Sequence, residues 1–169
     1  EFSENGKQLQ FTPNQAFMHG EWVTVNLSKN IRAISGKFLQ NGYAFNFWTA
    51  TTPSSLVFEE IARFPIRYPG EGHIQSYGAY AGDLNKDGWS DLAIPNEQSN
   101  DVRVFYNDGT GNYHSFEQYP LEEGAKPSAN EGADFNLDGN IDFAVANTQN
   151  NKVHVLMGNE QGTFGAAKN

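Results

Sequence analysis

The chain has 169 residues, no cysteine, and 20 acidic against 11 basic residues, for a net charge of −9. That balance argues against a nucleic-acid binder, which needs clustered Lys and Arg, and it favours cationic partners or plain solubility. Stability must come from a core, bound metal or repetition rather than from disulfides, and no stretch approaches the roughly eighteen apolar residues of a membrane helix.

Glycine is abundant, at 17 residues. Gly, Asn and Asp cluster between short runs rich in Val, Phe, Tyr and Ile, the composition of a turn-rich all-β protein. The chain opens at Glu1-Phe2-Ser3, without a methionine or a retained signal peptide, so it is expected to be a piece of something longer. Its first half offers strands at Gln8–Phe11, Trp22–Leu27 and Tyr43–Thr49. In Tyr43-Ala44-Phe45-Asn46-Phe47 the alternation places the aromatics on one face. Gly20, Gly36 and Asn41-Gly42 supply turns between these strands. Thr51-Thr52-Pro53-Ser54-Ser55 reads as a linker. Ser55–Arg63 is the best helical candidate in a chain without a convincing amphipathic helix, and Phe64 to Gly72 is a further loop.

The second half contains an internal repeat. Gly82-Asp83-Leu84-Asn85-Lys86-Asp87-Gly88-Trp89-Ser90-Asp91-Leu92-Ala93-Ile94 aligns with Ala133-Asp134-Phe135-Asn136-Leu137-Asp138-Gly139-Asn140-Ile141-Asp142-Phe143-Ala144-Val145 at an offset of 51 residues. The register then continues without a gap. Val102-Arg103-Val104 falls on Val153-His154-Val155, and Gly111-Asn112-Tyr113 falls on Gly162-Thr163-Phe164. Each unit reads as acidic loop, apolar strand, polar turn, alternating strand and Gly-rich turn, as in a propeller blade or a similar β array.

Each acidic loop has the pattern D-x-N-x-D-G-x-x-D. Calcium takes six to eight oxygens at roughly 2.3–2.6 Å, and a short loop supplies most of them when oxygen-bearing side chains recur at every second residue. In the first loop the donors are Asp83, Asn85, Asp87, the carbonyl of Trp89, and Asp91 as the closing carboxylate, with Gly88 permitting the turn. In the second they are Asp134, Asn136, Asp138, the carbonyl of Asn140, and Asp142, with Gly139 at the turn. Three carboxylates per loop repel one another at short range, and a bound cation turns that repulsion into folding free energy. Two calcium ions are therefore expected. Zinc would want His or Cys, and magnesium a tighter octahedron. An EF-hand would need Glu at the twelfth loop position, where this chain has Ile94 and Val145 inside apolar runs.

Asp83–Asp91 and Asp134–Asp142, each followed by an apolar strand and closed by Gly111-Asn112-Tyr113 or Gly162-Thr163-Phe164, resemble the FG-GAP (VCBS) repeat. That repeat builds calcium-binding blades of integrin-α-type propellers. The resemblance covers about Arg63 to Asn169. It implies that His73–Gly82 and Lys126–Ala133 hold the innermost strands, that residues 57–169 form a propeller segment, and that further blades come from the same parent chain. Residues 1–52 resemble the end of a bacterial Ig-like β-sandwich, on Leu9-Gln10-Phe11-Thr12-Pro13, Gly20-Glu21-Trp22-Val23-Thr24-Val25 and Gly42-Tyr43-Ala44-Phe45-Asn46-Phe47-Trp48. The fold class expected is thus all-β, a partial Ig-like sandwich followed by two blades.

Nothing in the sequence marks an enzyme. His19, His73, His114 and His154 are scattered, and Glu59-Glu60 and Glu122-Glu123 read as solvated charged patches. Trp22 and Trp48 read as core or interface, and Trp89 as a rim residue. The resemblance implies a non-catalytic, extracellular or cell-surface module of a secreted, bacterial type, with structural calcium and a protein or glycan ligand. The alternatives are an accessory domain of a secreted polysaccharide-degrading enzyme and a purely structural unit of a fibre or surface layer.

Overall fold

A computed structural model describes residues 10–53, 55–57, 60 and 62–169. Gln8 and Leu9 of the first expected strand, and Glu59 of the Glu59-Glu60 pair, lie outside the described residues, as do Phe58 and Ile61 of the helical candidate. Among the described residues every regular element is a β-strand, so the all-β expectation holds and no helix forms over the rest of Ser55–Arg63. Gln10 and Phe11 are not in a strand.

The first half holds a two-stranded antiparallel sheet, β1 (Trp22–Leu27) with β2 (Tyr43–Trp48). The register sets Val23, Val25 and Leu27 opposite Phe47, Phe45 and Tyr43, so the alternation read in the sequence does place these aromatics on one face. Trp22 pairs with Trp48 on the other face, their rings 4.7 Å apart. Both indoles are largely exposed, so neither is core. An Ig-like sandwich has about seven strands, whereas among the described residues this half shows two, with one further bridge between Arg32 and Phe38.

The second half forms two meanders that repeat each other. One sheet has the order β3 (Tyr80–Gly82), β4 (Asp91–Asn96), β5 (Asp101–Phe105), β6 (Phe116–Pro120); the other runs β7 (Pro127–Ala133), β8 (Asp142–Asn147), β9 (Val153–Leu156). All neighbours are antiparallel, and the registers superimpose at the 51-residue offset. Gly82 faces Asp91 as Ala133 faces Asp142, and Ile94 faces Arg103 as Val145 faces His154. Even the fourth strand has its counterpart, because the Val104–Glu117 pair of the first sheet recurs as a bridge between Val155 and Lys168.

Backbone conformation repeats as closely as pairing. Gln75, Lys86 and Asn100 have positive φ, and so do their counterparts Lys126, Leu137 and Asn151. A non-glycine residue in the left-handed region costs roughly 1 kcal/mol. At Lys86 and Leu137, inside the hydrogen-bonded loops, the geometry is imposed by the surrounding amide bonds, whereas Asn100 and Asn151 are residues that tolerate it locally.

The two units share one core, in which Leu84, Ala93, Val102 and Val104 of the first pack with Phe143, Val145 and Leu156 of the second. Apart from Leu84, which lies in the first loop, these come from the apolar runs after each loop and the inward positions of the following strands. Burying such side chains contributes about 1.5–3 kcal/mol each. The expected innermost strands are present but shorter in the first unit, at Tyr80–Gly82 within His73–Gly82, and almost full length in the second.

Candidate metal centre

Each acidic loop joins the first strand of its unit to the second, β3 to β4 and β7 to β8, and the two have the same internal hydrogen bonding. In the first loop the amide of Asp87 donates to Asp83 Oδ1 (3.0 Å) and to Asn85 Oδ1 (3.1 Å). The amide of Gly88 donates to Asp83 Oδ2 (3.0 Å), and that of Trp89 to Asp87 Oδ1 (2.8 Å). In the second, Asp138 donates to Asp134 Oδ1 (3.0 Å) and Asn136 Oδ1 (2.8 Å), Gly139 to Asp134 Oδ2 (2.8 Å), and Asn140 to Asp138 Oδ1 (2.8 Å). The side-chain amide of Asn85 reaches Asp87 Oδ2 at 2.9 Å, and that of Asn136 reaches Asp138 Oδ2 at 3.0 Å. The alternate spacing thus gathers the first three side chains of each loop round a common set of amides, with Gly88 (φ +91°) and Gly139 (φ +96°) turning the chain back.

Asp91 and Asp142 are placed differently from the other acids. Both are fully buried at the start of the second strand. Asp91 accepts from the amides of Leu84 and Asn107, each at 2.9 Å, and Asp142 from Phe135 (3.0 Å) and Gly158 (2.9 Å). Each carboxylate therefore fastens the loop to the turn after the third strand. Burial pushes the Asp91 carboxyl above the usual carboxylate range; the amides of Asn107 and Leu84 oppose this, and the negative charges of Asp87 and Asp83 add to it. Asp142 is raised by burial in the same way, with Asp138 as its repelling neighbour.

Trp89 and Asn140 occupy the seventh loop position. Trp89 lies at the rim with its indole against Gly109. Asn140 is buried, and its side-chain oxygen accepts from Lys86 Nζ at 2.7 Å, so the two loops touch. Among the described residues no three carboxylate, imidazole or thiol groups gather about one point; the loop oxygens are turned to amide hydrogens. A carboxylate oxygen has two lone pairs, so an accepted amide bond leaves capacity for a cation. The donor set of oxygens alone, in two like-shaped loops with mutually repelling acids, fits a hard divalent cation.

Sequence reasoning missed several residues that tie together the strands and segments away from the loops. Asn96 and Asn147, at the ends of β4 and β8, are buried. Arg103 is fully buried and is gripped by Asp101 and Glu71. Glu122 is not merely solvated but pairs with Lys152 at 2.6 Å. The signal was present, since Tyr68-Pro69-x-Glu71 recurs as Tyr119-Pro120-x-Glu122 at the same offset.

Part of the chain is similar to a known repeat family. Residues 83–145 match the family model of the FG-GAP-like repeat, a span from the first acidic loop through the second and into β8. No curated protein and no solved structure matches the chain. The matched span is thus similar to a β-repeat, and no helix among the described residues is long and apolar enough to cross a membrane.

Proposed function

We propose that the chain is a calcium-binding, non-catalytic module of an extracellular or cell-surface protein, in which calcium stiffens a β-array that recognises a protein or glycan. The observation that carries this reading is the duplication of one oxygen-lined loop, with the same amide bonds, at the same edge of two stacked sheets. Asp83, Asn85, Asp87, the Trp89 carbonyl and Asp91 would hold one ion. Asp134, Asn136, Asp138, the Asn140 carbonyl and Asp142 would hold the other. A divalent ion supplies charge neutralisation there and no redox chemistry. Weak sites of the kind filled at about 10⁻⁴–10⁻³ M suit an extracellular setting.

Further blades of the same parent chain are part of the proposal. Leu84 is buried in the core shared with the second unit, whereas its counterpart Phe135 is 51% exposed, a surface that a further blade would cover. An Ig-like spacer around β1 and β2 would precede the array. Isothermal titration of the chelator-treated protein should give two calcium sites and a raised melting temperature. Asp83→Asn with Asp134→Asn should abolish both, and a wild-type protein indifferent to millimolar calcium would end this reading.

A further inference from the structure

The 51-residue offset extends back beyond the loops. Tyr68-Pro69-Gly70-Glu71 and Tyr119-Pro120-Leu121-Glu122 each lead into the first strand of a unit. Each ends in an acid directed at the same place, the middle of that unit's third strand. In the first unit this is Arg103, which donates to Glu71 through Nη1 (2.7 Å) and Nη2 (2.5 Å). In the second it is His154, whose Nε2 stands 3.9 Å from Glu122 Oε2. Both bases are buried.

Their surroundings differ. In the first unit Ser76 donates to Asn96 Oδ1 (2.5 Å), Asn96 Nδ2 donates to Asp101 Oδ1 (2.8 Å), and Asp101 Oδ2 accepts from Arg103 Nη2 (3.0 Å). That network is complete. In the second unit Pro127 stands where Ser76 stood, and the buried Oδ1 of Asn147 has no hydrogen-bond partner. Lys152 stands where Asp101 stood and turns to Glu122 (2.6 Å), while the Asn147 amide abuts His154 Nδ1. Glu122 is further occupied by Asn150 (2.9 Å) and Asn169 (3.3 Å).

We propose that the joint carrying Glu122 and His154 is a pH-sensitive latch, shut while the imidazole is neutral, whereas the matching joint at Arg103 stays charged and paired over the range in which a histidine titrates. The charged groups acting on the ring are Glu122 from the segment after β6 and Lys152 from the turn before β9. Lys168, on the segment pairing with Val155, lies beside the same strand, and Asn147 on β8 is neutral. Glu122 favours a protonated ring, but it is beyond hydrogen-bonding distance and already neutralised by Lys152. Burial and the Lys152 charge both oppose protonation, and the folded pKa lies below the ordinary 6.5. The unfolded or opened chain therefore binds the proton more tightly, so the latch is shut above about pH 6.5 and loosens as the pH falls through the folded value. An arginine at this position has no such transition.

The test uses the whole chain at one fixed, saturating calcium concentration, and it does not depend on the calcium reading, since it can be repeated in chelator. Between about pH 8 and about pH 5.5 the His154 ring resonances should titrate with a midpoint below 6.5. The melting temperature should fall over that range by about 2–4 °C, and His154→Gln should abolish that fall. A ring midpoint at or above 6.5, or an undiminished fall in His154→Gln, overturns the proposal. Should the variant fail to fold, the wild-type ring titration decides alone.

Discussion

At the scale of single residues, the most consequential positions are the ninth of each loop. Asp91 has no exposed surface and both its oxygens accept backbone amides. Replacing it by Ala leaves the buried Leu84 amide and the half-buried Asn107 amide unpaired, and each orphaned buried group costs about 1–3 kcal/mol. Asp91→Ala should therefore lower unfolding free energy by about 2–4 kcal/mol even in chelator, as read by urea denaturation. Asp87→Ala, at an exposed position where water can replace its bonds to the Trp89 and Asn85 amides, should cost far less without calcium. Equal losses for the two would refute the distinction. The sequence marked Asp91 as a ligand because of its spacing; spacing alone could not tell that its carboxylate also ties the loop to Asn107, since that contact crosses from β4 to the turn after β5.

At the scale of elements, the Glu71–Arg103 pair fastens the segment before β3 to the face of β5. Arg103 also donates to the Ile66 carbonyl (2.7 Å) and lies over the Phe116 ring at 4.7 Å. Arg103→Met should cost roughly 3–5 kcal/mol, because it strands Asp101 in the interior. The pair also dictates an acid dependence. The hydrogen bonds from Arg103, against the opposing effect of burial, hold the Glu71 carboxyl down from 4.5 to about 2. A depressed carboxylate pKa means that the stabilisation is complete above about pH 4.5 and is lost as the pH falls towards 2. Glu71→Gln should flatten the stability profile in that window, checked by denaturation at stepped pH; an unchanged slope would show that other carboxylates carry it. Strands β1, β4 and β8 were legible because period-two alternation or an unbroken apolar run is a local property. The segment from Phe64 to Gly72 read only as a loop because its order comes from a charge 32 residues further on.

At the scale of the whole molecule, the repeat was legible as an offset, but the contact between the units was not, because equivalent positions meet different neighbours. Gly111 and Gly162 close the two units and both have positive φ, +87° and +75°. A Cβ at Gly111 would meet nothing within 4 Å, whereas one at Gly162 would lie 2.5 Å from the Cα of Asn85 in the other unit's loop. The Gly162 carbonyl also accepts from the Tyr106 hydroxyl at 2.9 Å, a further tie between the units. Gly111→Ala should thus cost only the left-handed strain, about 1 kcal/mol. Gly162→Ala carries the same strain and must also push the backbone of the first loop aside, because a backbone atom cannot rotate away as a side-chain end can. Its cost should exceed that of Gly111→Ala by about 1–3 kcal/mol. The displaced residue is the Asn85 expected to hold calcium, so calorimetry should find one of the two sites weakened in Gly162→Ala and both intact in Gly111→Ala. Identical stability and identical calcium isotherms for the two variants would mean that the units do not press on each other at this seam.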